Sequence, residues 1–249
     1  HNDFEIMNIK LIFILSLLSL HLFSQKNFSE YSVLIYSFTD GFVHHDAIKY
    51  GEKLIIDLGK KNDFNVKHAK TQKAFMEENL ANFDAIIFLC TTLDVLDKSG
   101  ENELKNFINS GKGFVGIHSA SDTEYDWPWF GRLVGAYFFN HPDGTHSATI
   151  HTTSSNSFFT SHLEKKWEIE DEWYNFNYRN LDIEPLLMLD EKTYEGGLNG
   201  ENHPITWFHE FDGGRSFYTG LGHRKETYQD IRFQKLLEKG ILYAIYGLN

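Results

Sequence analysis

Apolar positions along the chain fall alternately into short continuous runs and helical spacings. Val33-Leu34-Ile35-Tyr36 is a β-branched and aromatic run, closed by the turn-forming Thr39-Asp40-Gly41. Over 46–60, Ile48, Leu54, Ile55 and Leu58 recur at helical spacing, with Asp46 a candidate cap and Gly59 near the end. Phe64-Asn65-Val66 reads as a weaker strand, and the unbroken run over 85–90 reads as a strand buried on both faces. An amphipathic helix is predicted over 99–110, with Leu104, Phe107 and Ile108 on one face and Gly111 ending it. Gly113-Phe114-Val115-Gly116-Ile117 is a further buried strand. The β-α-β-α-β order predicts a doubly wound, mostly parallel α/β sheet flanked by helices, with ligands near the carboxyl ends of its strands.

The C-terminal half changes character. Segments 146–153, 166–171, 184–190 and 205–211 alternate polar and apolar residues, which predicts extra antiparallel strands. Gly213-Gly214 then joins 205–211 to 215–221 as a hairpin. Ile231, Leu236-Leu237, Ile241-Leu242 and Ile245 predict a closing helix within 226–246. Without repeats or low-complexity stretches, residues 26–249 read as one domain.

The N-terminus carries a different signal. Met7-Asn8-Ile9-Lys10 leads into an apolar stretch over 11–23, and polarity returns at Ser24-Gln25. That is the layout of a secretory signal peptide, and the stretch falls short of the about 20 apolar residues a membrane span needs. Residues 1–25 are therefore expected to be an export signal with a short upstream extension. The remainder is expected to be periplasmic or secreted, with no stable membrane anchor. Cys90 is the single cysteine, so no intrachain disulfide can form, and its apolar run marks it as a buried small hydrophobe.

The chain has 249 residues and a net charge of −12, with no basic run. A phosphate-tracking nucleic-acid binder would show a basic stripe, so no nucleic-acid partner is expected. The 13 histidines matter for where they fall. His44-His45 follow the first strand region, His118 directly follows 113–117, and His223 follows 215–221. In a parallel sheet those positions share one edge. Gly116-Ile117-His118-Ser119-Ala120 has the spacing of a nucleophile elbow with imidazole at its apex, which suits proton transfer or metal ligation better than acyl transfer. Downstream, Asp122, Asp126, Trp127 and Trp129 combine hydroxyl-accepting carboxylates with indole faces that stack on sugar rings; anchoring of the indoles in the core is the competing reading. Glu172, Trp173 and Tyr174 repeat that composition. Glu172 with Asp122 or Asp126 could form an acid/base pair of the glycosidase kind. His209, between Trp207 and Phe211, reads as a core or supporting residue, and His141-Pro142 and His203-Pro204 as turns.

Four stretches, Phe42-Val43-His44-His45-Asp46, residues 113–129, Asp171-Glu172-Trp173-Tyr174-Asn175-Phe176 and Tyr218-Thr219-Gly220-Leu221-Gly222-His223, closely resemble the ThuA-like (trehalose utilisation) family, with similarity from about Ser32 to Tyr246. The resemblance implies a class I glutamine amidotransferase-like, flavodoxin-like fold. It sets His118 where working amidotransferases carry cysteine, with His223 and Glu226 at the partner positions, so glutaminase activity is not expected. It further implies action on disaccharides or 3-keto-glycosides. Cleavage would use His118 or His223 as base and Glu172 or Asp122 as acid, with a divalent metal ion on the ketone oxygen as the candidate cofactor. His44, His45, Asp126, Trp127, Trp129, Trp173 and Tyr174 are the expected carbohydrate contacts. A hydrolase of unmodified disaccharides, a non-catalytic sugar-binding module and a scaffolding domain are the other readings, and the sequence fixes no oligomeric state.

Overall fold

The computed structural model describes residues 31–248, so the expected export signal lies outside the described residues. Five strands form the parallel part of the sheet: β1 (Tyr31–Tyr36), β2 (Phe64–Ala69), β3 (Ala85–Leu89), β4 (Gly113–Ile117) and β11 (Gly214–Thr219). An antiparallel wing extends it through β10 (Pro204–Phe211), β9 (Glu184–Asp190), β6 (His146–Thr152) and β7 (Lys166–Asp171). The order across this nine-stranded sheet is β2-β1-β3-β4-β11-β10-β9-β6-β7. A separate pair, β5 (Ala136–Asn140) and β8 (Asn175–Tyr178), lies outside it.

The helices are α1 (His45–Lys61), the short α2 (Gln72–Met76), α3 (Lys98–Asn109), α4 (Pro128–Val134), the single turn α5 (Ser157–Thr160) and α6 (Ile231–Tyr246). α3 starts where Asp97 accepts from the Gly100 N–H, and α6 where Asp230 accepts from the Arg232 N–H, each satisfying an orphan donor of the first turn. α1 differs from expectation: its cap position is His44, which makes no side-chain cap bond, and Asp46 lies inside the first turn. β3 and β4 are buried at every position because helices cover both faces, so their sequences run apolar without alternation. A Cβ on Gly113 would meet the Ala244 carbonyl oxygen at 2.1 Å, so only glycine lets α6 lie directly on β4.

The hairpin loop is one residue off the expected place. Asp212 and Gly213 carry positive φ as its two central residues, and Gly214 already pairs with Phe211. α2, α4, β5 and β8 were not anticipated; each is short and lacks a full period of either pattern. No helix among the described residues is long and apolar enough to cross a membrane.

Candidate functional site

His118 occupies the turn after β4 with φ 52°, the left-handed backbone that an elbow geometry requires. Its side chain is fully buried, and its Nδ1 lies 2.9 Å from the Gly220 carbonyl oxygen. Because that oxygen can only accept, Nδ1 carries a proton and Nε2 faces inward. Nε2 is 3.1 Å from the Tyr174 hydroxyl, 3.3 Å from His223 Nδ1 and 3.4 Å from Glu172 Oε2. His223 Nδ1 is itself 3.2 Å from Glu172 Oε2. His44 completes the group, its ring edge-on to His118 and His223 at centroid distances of 4.8 and 5.2 Å. Ligand-capable atoms of His44, His118, Glu172 and His223 all lie within 4.8 Å of one another, so three imidazoles and a carboxylate could hold a metal ion.

Each member comes from a different loop at the carboxyl edge of the parallel strands or beside it, and each is fixed from behind. Asp171, fully buried at the end of β7, accepts from the backbone N–H groups of Gly222 and His223 and from the Thr227 hydroxyl. These bonds set the loop after β11, where Gly222 takes a φ of 120°. Ser119 Oγ lies 3.4 Å from His44 Nδ1, and the Tyr218 hydroxyl donates to the His118 carbonyl.

Burial holds the His44 imidazole neutral, its pKa pulled down to about 2, with His118 and His223 acting in the same direction. Burial raises the Glu172 carboxyl, but hydrogen bonds and charge from His118 and His223 outweigh it and hold the group well below the usual carboxylate range. The reciprocal effect lifts His223 against its own burial. Asp122 moves the other way: burial raises its carboxyl, although Tyr125 donates a hydrogen bond to it.

The remaining expected residues divide. Tyr174 lies in the cluster wall, its hydroxyl on His118. Asp122 is half-buried at the margin, where it feels the charges of His118, His141 and Glu172. His45 and Asp126 are exposed and outside the four-residue convergence. The indoles require correction. Trp173 is fully buried and donates to the His146 carbonyl, Trp129 is buried and donates to Asp212, and half-buried Trp127 stacks on Trp129. Trp173 and Trp129 offer no free face to a sugar ring, and the core-anchoring reading holds for them. Glu226 is also displaced from its expected part: it pairs with Arg224 at the surface, and Glu172 stands beside the histidines instead.

Sequence reasoning missed His141. Its Nε2 lies 3.5 Å from Glu172 Oε1, and its Nδ1 is tied to the Pro142 carbonyl. It follows β5, so recognising Ala136–Asn140 as a strand would have placed it with the other strand-end histidines. His203, also expected in a turn, is buried between Glu191 and the Tyr174 carbonyl. A shallow hollow of about 490 Å³ on the antiparallel wing, lined by His151, Met188 and Asp190 among others, shares no residue with the cluster.

Fold and site together define an α/β protein with a histidine–carboxylate cluster at the carboxyl edge of its sheet. A family model described as ThuA, trehalose utilisation, matches residues 32–244, and the chain belongs to that family. Among solved structures it is similar to a putative ThuA-like protein from Bacteroides uniformis, with 22% identity, TM-score 0.73 and coverage of 86% of this chain and 91% of that one. A second, from Parabacteroides merdae, gives 16% identity, TM-score 0.72 and coverage of 87% and 90%. A cold-adapted β-galactosidase from Rahnella sp. R3 aligns over 86% of this chain but 31% of its own, at 11% identity and TM-score 0.56, a likeness of fold alone. No curated protein matches.

Proposed function

We propose that the protein processes carbohydrates after export, cleaving disaccharides or 3-keto-glycosides by acid/base chemistry in which Asp122 and His141 move protons beside the His44–His118–Glu172–His223 cluster. The supporting observation is the convergence itself: four side chains from separate loops meet at the sheet edge, with His141 and Asp122 on the margin. The family's trehalose description supplies the substrate class. The β2-β1-β3-β4 order with β11 as the fifth parallel strand supports kinship with flavodoxin-like and class I amidotransferase-like folds.

In a 3-keto-glycoside the ketone acidifies the neighbouring C2–H. Asp122, with one carboxylate oxygen engaged by Tyr125, takes that proton on its other oxygen. The electrons of the C2–H bond form the C1–C2 double bond as the C1–O bond breaks, and His141 Nε2 delivers a proton to the departing oxygen. The cluster binds and polarises the ketone oxygen, stabilising the charge that gathers there. Water is not consumed in this step.

An NMR time course of the protein with trehalose and with its 3-keto derivative tests the reading. Consumption of the keto sugar alone is expected. Consumption of plain trehalose would make the protein a hydrolase of unmodified disaccharides. Line broadening without turnover would make it a binding module and overturn the catalytic assignments.

A further inference from the structure

We infer that His44, His118, Glu172 and His223 form a binding site for one first-row divalent transition-metal ion of the Zn²⁺ class. The inference deepens the proposed function by naming the group that polarises the ketone oxygen, but its geometry stands without any sugar.

Three edges of the site are already at coordination spacing. His118 Nε2 to His223 Nδ1 is 3.3 Å, His118 Nε2 to Glu172 Oε2 is 3.4 Å, and His223 Nδ1 to Glu172 Oε2 is 3.2 Å. A tetrahedral ion with bonds of about 2.0–2.1 Å has ligand–ligand edges of roughly 3.3–3.4 Å, so these three atoms outline one face of such a polyhedron. His44 supplies the fourth ligand, within the 4.8 Å that bounds the group. A nitrogen-rich set with a single carboxylate selects first-row transition metals over Mg²⁺ and Ca²⁺, which prefer oxygen donors.

The supporting contacts are those a coordinating histidine needs. The Gly220 carbonyl fixes His118 so that Nε2 faces inward, Ser119 Oγ lies against His44 Nδ1, and Asp171 holds the His223 backbone. The Tyr174 hydroxyl lies 3.1 Å from His118 Nε2, and metal binding requires that hydroxyl to turn away from this atom. The His223 side chain is 27% exposed, whereas that of His118 is fully buried, so solvent and substrate approach the centre from the His223 side. With four protein ligands the ion would take an exogenous oxygen ligand on that side by expanding to five-coordinate.

The test is calorimetric titration of the EDTA-treated, dialysed protein with Zn²⁺, Co²⁺ and Mg²⁺, with circular dichroism to verify folding. The expected result is one equivalent of Zn²⁺ per chain, a visible d–d band on Co²⁺ loading, and at least 100-fold weaker Mg²⁺ binding. Glu172→Gln and His118→Asn, each verified as folded, should weaken Zn²⁺ at least 10-fold, whereas His151→Ala on the antiparallel wing should not. Absence of stoichiometric uptake by the folded wild type overturns the inference, as does equal affinity in wild type and both cluster variants. Sugar turnover by rigorously metal-free protein also overturns it while leaving the proposed function standing. Metal uptake without sugar turnover keeps the centre and removes only the carbohydrate reading.

Discussion

β3 and β4 are parallel neighbours, and each is followed by a residue in left-handed backbone, Cys90 and His118, both at φ 52°. Such a conformation costs a non-glycine residue about 1–3 kcal/mol, so the fold bears the same strain twice within one sheet edge. The Cys90 backbone N–H donates to the Ile117 carbonyl, which ties the two turns together. Their side chains meet opposite surroundings. The Cys90 thiol is sealed in the core at 3.7 Å from the Tyr228 hydroxyl, and burial pushes it up to about 12. At neutral pH it is no nucleophile. His118 projects from its turn among two other imidazoles and a carboxylate, beside the partly exposed His223. The same backbone device therefore produces a filler in one place and a chemical group in the other, and what decides between them is the loop that covers the turn.

The largest expected effect falls on the second turn. His118→Gln should lower kcat/KM for the keto sugar by about 10²–10³-fold with the fold retained, as loss of one group that stabilises charge on the reacting oxygen does. Kinetics with NMR detection and near-UV dichroism check this together. Wild-type turnover in that variant would reduce His118 to the status of Cys90 and end the contrast.

A second buried imidazole sharpens the contrast by doing no chemistry. His209, on β10 and 2% exposed, is pulled down to about 4 by burial, despite its bond to the Arg132 carbonyl. Its folded pKa lies below the unfolded value near 6.5, so between about pH 4 and 6.5 the unfolded chain binds the extra proton. Stability is fully present above 6.5 and is lost as pH falls towards 4, by about 3 kcal/mol for this group at the 1.36 kcal/mol per unit of linkage. Urea unfolding at pH 7 and pH 4 should show a smaller acid loss in His209→Gln than in wild type. The His44 imidazole titrates in the same direction, so the difference between the two proteins, and not the whole acid slope, belongs to His209. An identical slope would remove the assignment.

Asp171 measures how much the covering loop contributes. Asp171→Asn weakens three bonds to a buried carboxylate, those from Gly222, His223 and Thr227, and should destabilise the protein by about 2 kcal/mol. Because those bonds position His223, the variant should also lower kcat more than it raises KM. A fall in melting temperature with unchanged kinetics would show that His223 holds its place without them.

These contrasts also show what the chain itself reveals. Continuous apolar runs such as Ala85–Leu89 and Gly113–Ile117 are legible because strands buried on both faces need no polar positions. The strand-end rule likewise places His118 and His223 on one edge. The indoles were misread because composition says nothing of direction. Glu172 and Tyr174 face the cluster, while Trp173 between them turns into the core, the period of two that extended chain imposes. His141 escaped because β5 and β8 satisfy their backbone mainly with each other, four and five residues at a time, too short to show a period. The role of Asp171 is invisible for a different reason: its partners Gly222, His223 and Thr227 lie 51 to 56 residues away, and no local pattern announces a carboxylate that serves another loop's backbone.

The smallest effect is expected at the first turn. Cys90→Ala removes one sulfur from a fully buried site and keeps the same left-handed backbone, so the cost is that of a small cavity, about 1 kcal/mol. Turnover should match wild type, and the native thiol should resist a disulfide reagent until the protein unfolds. Rapid labelling of Cys90 in the folded protein would mean that Tyr228 does not seal the turn. The two strand ends would then differ in the side chain they carry and not in the cover above them, which is the opposite of what the packing implies.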